Sequence, residues 1–562
     1  MTLIASESMP VLTNPPAMLK TFLFLPLLVL GAFVWPRLCA GICHRMGRMI
    51  ARVSHRLGRA MAVTGLVSLT ISVAVGYFDG IPAPQVSDEF GYLLTADTFL
   101  HGRLTNPTHP LWQHFESIHI IHRPTYAAKY PPGQAVALAV GQLLGHPIIG
   151  IWLSTALACA LLCWMLAGWL PNRWAFAGGL LAAMHPQVIE WSHNYWGGSI
   201  AMGGGALLLG ALRRILRAPR PRDALLMGVG MFVLANSRPY EGFTISLLGM
   251  VTLAFCLWPA NRAAWGIIGR RVVLPLGLML AVTAVQIGYY NWRVTGDMLR
   301  MPYMVHEDTY GVAPLFIFQK PKPVPEFRHK EIRDLQEGWY GNYHRRQTAS
   351  LAALARSTWG KLYVLAQGFL WMKLLIIPLI ALPWALRYDR WSRFALYVGG
   401  GFTATMMLGT WVFPHYAAPA MGLFFVLVLQ SLRQLRVWKW RQRPVGRAVA
   451  RGVLVLCVLS VPLVIARLAT SHERWDFQRE RMIASLEQTP GNHLVIVRYY
   501  PQHNANREWV YNSADIDNAK VVLARDMGLE KNSELFDYFP DRHVWLIEAD
   551  EIPPKLIPYR LP

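Results

Sequence analysis

The chain has 562 residues, of which 54% are hydrophobic, 12% aromatic and 15% charged, with a net charge of +22. A soluble protein of this length would carry about 25% charged residues over several domains; that class is excluded, because apolar runs long enough to cross a bilayer recur along the sequence. Mean hydropathy is only +0.28, so large water-facing segments separate those runs.

The positive charge is confined to short hinges at 37–59, 213–223, 259–271, 387–393 and 433–451. With Arg173 these hold 25 of the 54 basic residues but only 2 of the 32 acidic ones, so the rest of the chain is close to neutral. Charge concentrated in short membrane-proximal loops is the signature of cytoplasmic hinges and sets orientation; it gives no reason to expect nucleic acid as a partner. The six cysteines, Cys39, Cys43, Cys159, Cys163, Cys256 and Cys457, lie in or beside apolar runs, where they read as packing residues rather than a disulfide framework.

In chain order, a signal-anchor-like span is predicted over 19–36, then a basic hinge and a second span over 60–78. A long outside loop occupies 79–147. Spans follow near 148–170, 175–188, 199–212, 224–237, 241–258 and 272–290. A second outside loop, 291–361, precedes spans near 363–386, 394–412, 416–432 and 452–467. The total is about twelve spans of roughly 20 residues, several of them short. The apolar stretch 133–146 is too short to cross; Tyr130-Pro131-Pro132-Gly133 reads instead as the opening of a helix lying at the outer membrane surface. The tail, 468–562, holds 15 acidic and 11 basic residues. Runs at Leu494–Tyr499, Lys520–Ala524 and Val544–Glu548 read as strands and 531–538 as a helix. The expected domains are thus 1–59 (anchor-like helix and basic hinge), 60–467 (a transmembrane catalytic unit) and 468–562 (a small extracytoplasmic α/β domain).

Candidate chemistry sits in the outside loops. Asp88 and Glu89 follow the second span; adjacent carboxylates accept protons or hold cations, although an acidic pair behind Ser87 is ordinarily a helix N-terminal cap. Short outer loops carry His193, Tyr195 and Trp196, then Arg238, then His415 and Tyr416. Aromatic residues at such a boundary form an interfacial belt or stack on sugars. Arg238 reads either as a snorkelling arginine or as a phosphate contact, as does Arg123. Glu116, His119 and His122 would share one helical face suited to a metal ion if that segment were helical. The second loop is a lid or a linker.

A span, an outside Asp88-Glu89 with Tyr92 three residues on, and Lys129-Tyr130-Pro131-Pro132-Gly133 together resemble the GT-C class of glycosyltransferases, most nearly the protein O-mannosyltransferases and lipid A aminoarabinose transferases. Phe413-Pro414-His415-Tyr416-Ala417-Ala418-Pro419 is similar to a late family segment that more often begins Arg-Tyr. The resemblance covers roughly 60–430. It implies a polytopic helical membrane enzyme that moves a sugar, with inversion, from a polyprenyl-phosphate donor to a lipid, glycan or protein acceptor. The implied setting is the outer face of a bacterial-type inner membrane. It implies Asp88 as general base and Glu89 as its orienting partner, or as ligand to a divalent metal ion where one is used. Lys129 is the motif-matched donor-phosphate residue, with Arg123 and Arg238 as additional cations. Tyr92, His193, Tyr195, Trp196, His415 and Tyr416 are the candidate substrate contacts. A transporter or flippase of lipid-linked substrates is the alternative reading.

Overall fold

The computed structural model describes residues 30–31, 33–34, 40–258, 262–370, 373–468 and 474–559. Most of the expected first span, 19–36, lies outside the described residues. Six helices are long and apolar enough to cross a membrane: Leu57–Asp79, Pro147–Trp169, Pro239–Cys256, Trp265–Thr295, Pro414–Val437 and Val445–Ala466. A seventh crossing would join Leu351–Phe369 and Lys373–Leu379, which meet at 99°. The remaining expected spans also form helices, Asn172–Ala183, Ser199–Ile215, Pro221–Ala235 and Arg390–Met407, but these are shorter or less apolar. Asn172–Ala183 rises only about 18 Å at 1.5 Å per residue, and His185 and Pro186 start a separate short helix, Pro186–Trp191. It therefore cannot cross a 30 Å core as one straight helix.

The core is centred on Ser199–Ile215, which is buried on nearly every side. Small residues allow this: a Cβ on Gly205 would stand 2.0 Å from the Pro419 carbonyl oxygen. Close backbone approach at glycines is how helices pack where lipid removes the hydrophobic incentive. The Arg-rich hinges and the first outside loop fall at opposite ends of these helices. Leu57–Asp79 leaves the basic hinge at Arg56 and ends at Asp79, whose carboxylate lies 2.9 Å from His193 Nε2.

The segment expected at the membrane surface forms the helix Gly133–Leu143, with Val136, Val140 and Leu143 exposed along one side. In the first loop, Ser87–Leu100 is a helix whose N-cap is Val86, not Ser87. The segment around His119 is not helical. Ile120–Ile121 pairs antiparallel with Ala127–Ala128, so the shared helical face expected for Glu116, His119 and His122 does not exist.

The tail holds a four-stranded sheet in the order Val521–Arg525, Asn492–Arg498, Arg542–Glu548, Lys555–Pro558. The first three strands are parallel and the last is antiparallel. Leu529–Tyr538 is the expected helix. Phe90, Phe115, Ile120 and Tyr126 of the first loop share one hydrophobic cluster with Leu494, Ile496, Tyr511, Val522 and Leu546 of the tail. The tail and the first loop are packed as one body.

Candidate active site

The two adjacent carboxylates at the start of Ser87–Leu100 have opposite surroundings. Glu89 is buried, and its Oε2 accepts the backbone N–H groups of Gln85 (2.6 Å) and Val86 (3.1 Å), capping its own helix. Its Oε1 accepts the N–H of Tyr195 (2.8 Å), which staples the 189–198 loop to the helix. Burial outweighs these three bonds and pushes the Glu89 carboxyl up to about 7. Asp88 keeps a quarter of its side chain exposed. Its Oδ1 accepts the Tyr130 hydroxyl at 2.7 Å and lies 3.0 Å from His119 Nδ1. Burial opposes the Asp88 charge, but His119, Tyr130 and Lys129 overcome it and hold this carboxyl well below the usual range.

His119 is the hub of this arrangement. Burial, with the Lys129 charge, pushes its imidazole below the ordinary histidine range, so the neutral ring is favoured near pH 7. The Tyr130 hydroxyl donates to Asp88, so its oxygen, 2.9 Å from His119 Nδ1, accepts along with Asp88 from an Nδ1–H; that leaves Nε2 to accept the Tyr340 hydroxyl at 3.3 Å, and the network thereby assigns the tautomer. Lys129 follows directly along the same hairpin. Its ammonium donates to Glu307 Oε1 at 3.4 Å and stands 4.9 Å from the centre of the Tyr303 ring. Burial opposes the Glu307 charge, yet Lys129 and the adjacent His306 hold that carboxyl low. Arg238 caps the helix Pro239–Cys256, with its guanidinium 4.4 Å from the centre of the Tyr416 ring. The loop that precedes it is locked to the Lys129 segment, because Gly133 N–H donates to the Asn236 carbonyl at 2.7 Å. A Cβ at Gly133 would sit 2.6 Å from that oxygen, so only glycine permits this approach.

These groups line a cavity of about 1190 Å³. Asp88, Tyr92, Lys129, Trp196, Arg238, His415 and Tyr416 are brought together on its wall. Tyr92 stacks on Tyr130 at 4.9 Å, and Trp196 tilts over His415 at 4.8 Å. Four expected residues stand apart. Glu89 lies behind Asp88 rather than on the wall. Arg123 is exposed, with its guanidinium over Trp112 at 4.7 Å, away from the cavity. His193 pairs with Asp79, and the Tyr195 hydroxyl donates to the Pro82 carbonyl at 2.8 Å.

Sequence reasoning overlooked Tyr303, Glu307 and Trp411. Glu307 lies in the eight-residue helix Pro302–Thr309, and no local pattern marks it. Trp411 stacks against Trp339 (5.6 Å) and Tyr343 (4.5 Å), a pairing across the second loop and a later span that only tertiary structure creates. The second loop is therefore folded against the cavity. The tail adds a polar wall that includes Arg474, Gln478, Asn506, Asp550 and Glu551. On the opposite side Phe243, Leu280 and Ile287 reach the cavity from two spans, and Phe243 and Leu280 are also exposed on the outer surface of the bundle.

The donor set does not suit a divalent cation. Both Glu89 oxygens are taken by amides, Asp88 Oδ1 by two hydrogen bonds, and Glu307 by Lys129 and His306. Among the described residues, no group of three His, Cys, Asp or Glu side chains is arranged to hold a metal.

No protein-family model matches the sequence, and no curated protein matches it. Among solved structures, the chain is similar to ArnT from Cupriavidus metallidurans in the apo state, with a TM-score of 0.50 at 13% identity, covering 86% of this chain and 92% of that one. The same ArnT bound to undecaprenyl phosphate gives a TM-score of 0.46 at 12% identity, covering 87% and 92%. An Archaeoglobus fulgidus oligosaccharyltransferase in the apo form gives 0.47 at 11% identity, covering 88% and 69%. The likeness to apo ArnT shows the fold alone: this chain shares the polytopic helical architecture of that protein.

Proposed function

We propose that the chain is a membrane glycosyltransferase that moves a sugar from a polyprenyl-phosphate donor to an extracytoplasmic acceptor hydroxyl, with inversion at the anomeric carbon. One observation carries the reading. Asp88, a carboxylate held in its charged form, lines a cavity that also holds Lys129 and Arg238 and that opens between apolar spans at Phe243 and Leu280. This combination suits a donor with a hydrocarbon tail, an anionic link and a sugar.

In this mechanism the lipid tail lies along Phe243, Leu280 and Ile287, and the phosphate meets Lys129 and Arg238. Charge-assisted bonds of this kind stabilise developing negative charge in a site shielded from water. The phosphate takes over Lys129 from Glu307, whose 3.4 Å contact is long for a charged hydrogen bond. Both hydrogen bonds to Asp88 converge on Oδ1, which leaves Oδ2 to receive the acceptor's proton. The acceptor oxygen attacks the anomeric carbon, the bond from that carbon to the phosphate oxygen breaks, and lipid phosphate leaves carrying the electron pair. Glu89, committed to three backbone amides, positions Asp88 and takes no proton from substrate. Trp339, Tyr340 and Trp411 offer ring faces to a sugar, and the polar tail wall faces the acceptor side.

The positive hinges at the far end of the spans support a cytoplasmic location for that end, which puts the cavity and tail outside. The test is the purified protein in liposomes with a panel of polyprenyl-phosphate sugars, read by release of polyprenyl phosphate and by the anomeric configuration of the product. Release with retention would sink the single-displacement mechanism, and no release from any donor would sink the assignment.

A further inference from the structure

Resting on the reading of Asp88 as general base, we infer that Tyr511 of the tail is a positioning residue for the transfer reaction. It ties Phe90, two residues beyond Asp88, to the backbone beside His119, so the catalytic pair is assembled only against a docked tail.

Tyr511 is buried and its ring lies flat on Phe90, with centroids 4.0 Å apart and planes 5° from parallel. Phe90 is two residues beyond Asp88. The Tyr511 hydroxyl donates to the carbonyl of Ile118 at 3.2 Å, the residue just before His119. One side chain thus bridges the helix that carries Asp88 and the segment that leads into His119, which meet in the 3.0 Å Asp88–His119 contact. Tyr511 is itself fixed from behind. Arg479 donates to the carbonyls of Trp509 and Tyr511, each at 3.0 Å, and lays its guanidinium 4.8 Å from the centre of Phe90.

The His119 backbone needs such support. Its φ is 64°, a left-handed conformation that costs a residue with a Cβ and persists only where the surroundings over-determine it. The His119 carbonyl is held by Lys129 N–H at 3.2 Å, and the preceding carbonyl is held by Tyr511. Without the second tie, the peptide can relax toward ordinary φ and swing the imidazole off Asp88.

The titratable groups facing Asp88 are His119 and Lys129 from its own loop, Arg238 and His415 from the spans, and the hydroxyls of Tyr92, Tyr130, Tyr303, Tyr340, Tyr416 and Tyr511. Tyr511→Phe removes only the last of these hydroxyls, and with it the tie, and leaves the other groups and the stack on Phe90 in place. A weakened His119 bond makes Asp88 easier to protonate, so the acid limb of the kcat/KM profile moves to higher pH. The expected shift is about one pH unit, the low end for loss of a close favourable partner. Displacing the base also lowers kcat, by about ten-fold, while KM for the donor stays at its wild-type value because Lys129 and Arg238 are untouched.

The experiment compares full-length wild type, Tyr511→Phe, Tyr511→Ala and Asp88→Asn in liposomes with a turned-over polyprenyl-phosphate sugar, recording kcat, KM and the pH profile. Tyr511→Phe with a wild-type acid limb overturns the inference, whether or not kcat or thermal stability falls, since a merely structural tyrosine predicts that result. Tyr511→Ala that fails to fold leaves Tyr511→Phe to decide. Substantial turnover by Asp88→Asn overturns the base assignment instead.

Discussion

Replacing Asp88 with asparagine separates chemistry from architecture. The side-chain volume is unchanged, and the asparagine Oδ1 still accepts the Tyr130 hydroxyl (2.7 Å) and faces His119 Nδ1 (3.0 Å). The fold and the donor pocket therefore persist. What disappears is Oδ2, replaced by an NH₂ with no basic lone pair. The adjacent Glu89 cannot substitute, because both its oxygens are occupied by three backbone N–H groups. A positioned base contributes roughly 10²–10⁴-fold, so transfer should fall by at least about 10²-fold, or about 2.7 kcal/mol of barrier at 1.36 kcal/mol per factor of ten. Binding of polyprenyl phosphate, measured by intrinsic tryptophan fluorescence or calorimetry on the reconstituted protein, should change little. In the wild type, the low Asp88 carboxyl implies an acid limb below the ordinary carboxylate range, with the base ionised and active at every higher pH. A variant retaining more than about a tenth of wild-type transfer lies outside that range and refutes Asp88 as the proton acceptor.

Three further outcomes follow from the same geometry. Lys129→Ala should raise the donor KM or lower donor-dependent kcat/KM by about 10–100-fold, as expected from losing a charged hydrogen bond of about 1.5–3 kcal/mol, and should leave the acceptor KM unchanged; equal losses for both would contradict a phosphate contact. Cysteines placed at the exposed positions Ala349 and Lys531 should react with an impermeant maleimide in intact cells, whereas Arg217→Cys and Arg441→Cys should react only after permeabilisation, and early labelling at 217 would invert the proposed orientation. Deleting 470–562 should abolish donor hydrolysis as well as transfer, because the tail shares a hydrophobic cluster with Phe90, Ile120 and Tyr126; a truncated protein that still hydrolyses donor would show that the first loop folds without it.

What the sequence disclosed depended on how local each signal is. Spans are written in composition over about 20 residues, and most predicted spans from 60–78 onward are centred on one helix, whereas 175–188 and 363–386 are broken into separate helical pieces. The tail strands were legible because parallel strands buried on both faces are continuous apolar runs, as in Leu494–Val497. The strand Lys555–Pro558 was not, since it is a short antiparallel edge that carries two of its residues exposed. At the site, the family resemblance pointed to Asp88 and Lys129 and the outer-surface position to Arg238, and the structure puts all three on one cavity wall. It could not separate Trp196, which lines the cavity, from Tyr195 one residue earlier, whose hydroxyl turns to Pro82. That choice is made by packing against the helix Ser87–Leu100. The helical face expected for Glu116, His119 and His122 is absent for a similar reason: a helical period was assumed where the chain forms a hairpin, and Glu116 instead accepts the Tyr310 hydroxyl at 2.6 Å.

The contrast between Asp88 and Glu89 carries a consequence for stability that can be measured apart from catalysis. Glu89 is 3% exposed, and burial raises its carboxyl to about 7, whereas an unfolded glutamate titrates near 4.3. The folded state therefore binds the proton more tightly than the unfolded state does. By linkage, stability falls as pH rises through the interval from about 4.3 to about 7, and is level above it with respect to this group. Glu89→Gln removes the titration, so its contribution to the slope vanishes in that window. The variant is also less stable at every pH, because a glutamine amide nitrogen cannot accept the N–H groups of Gln85 and Val86 or of Tyr195, whichever oxygen it replaces, and a buried donor without a partner costs about 1–3 kcal/mol. Thermal unfolding of both proteins in one detergent at pH 4.5, 5.5, 6.5 and 7.5 reads the two effects separately. A difference between their melting temperatures that stays constant across those four values would show that Glu89 is ionised throughout, held charged by its three amides, and that the proton it was assigned is not there.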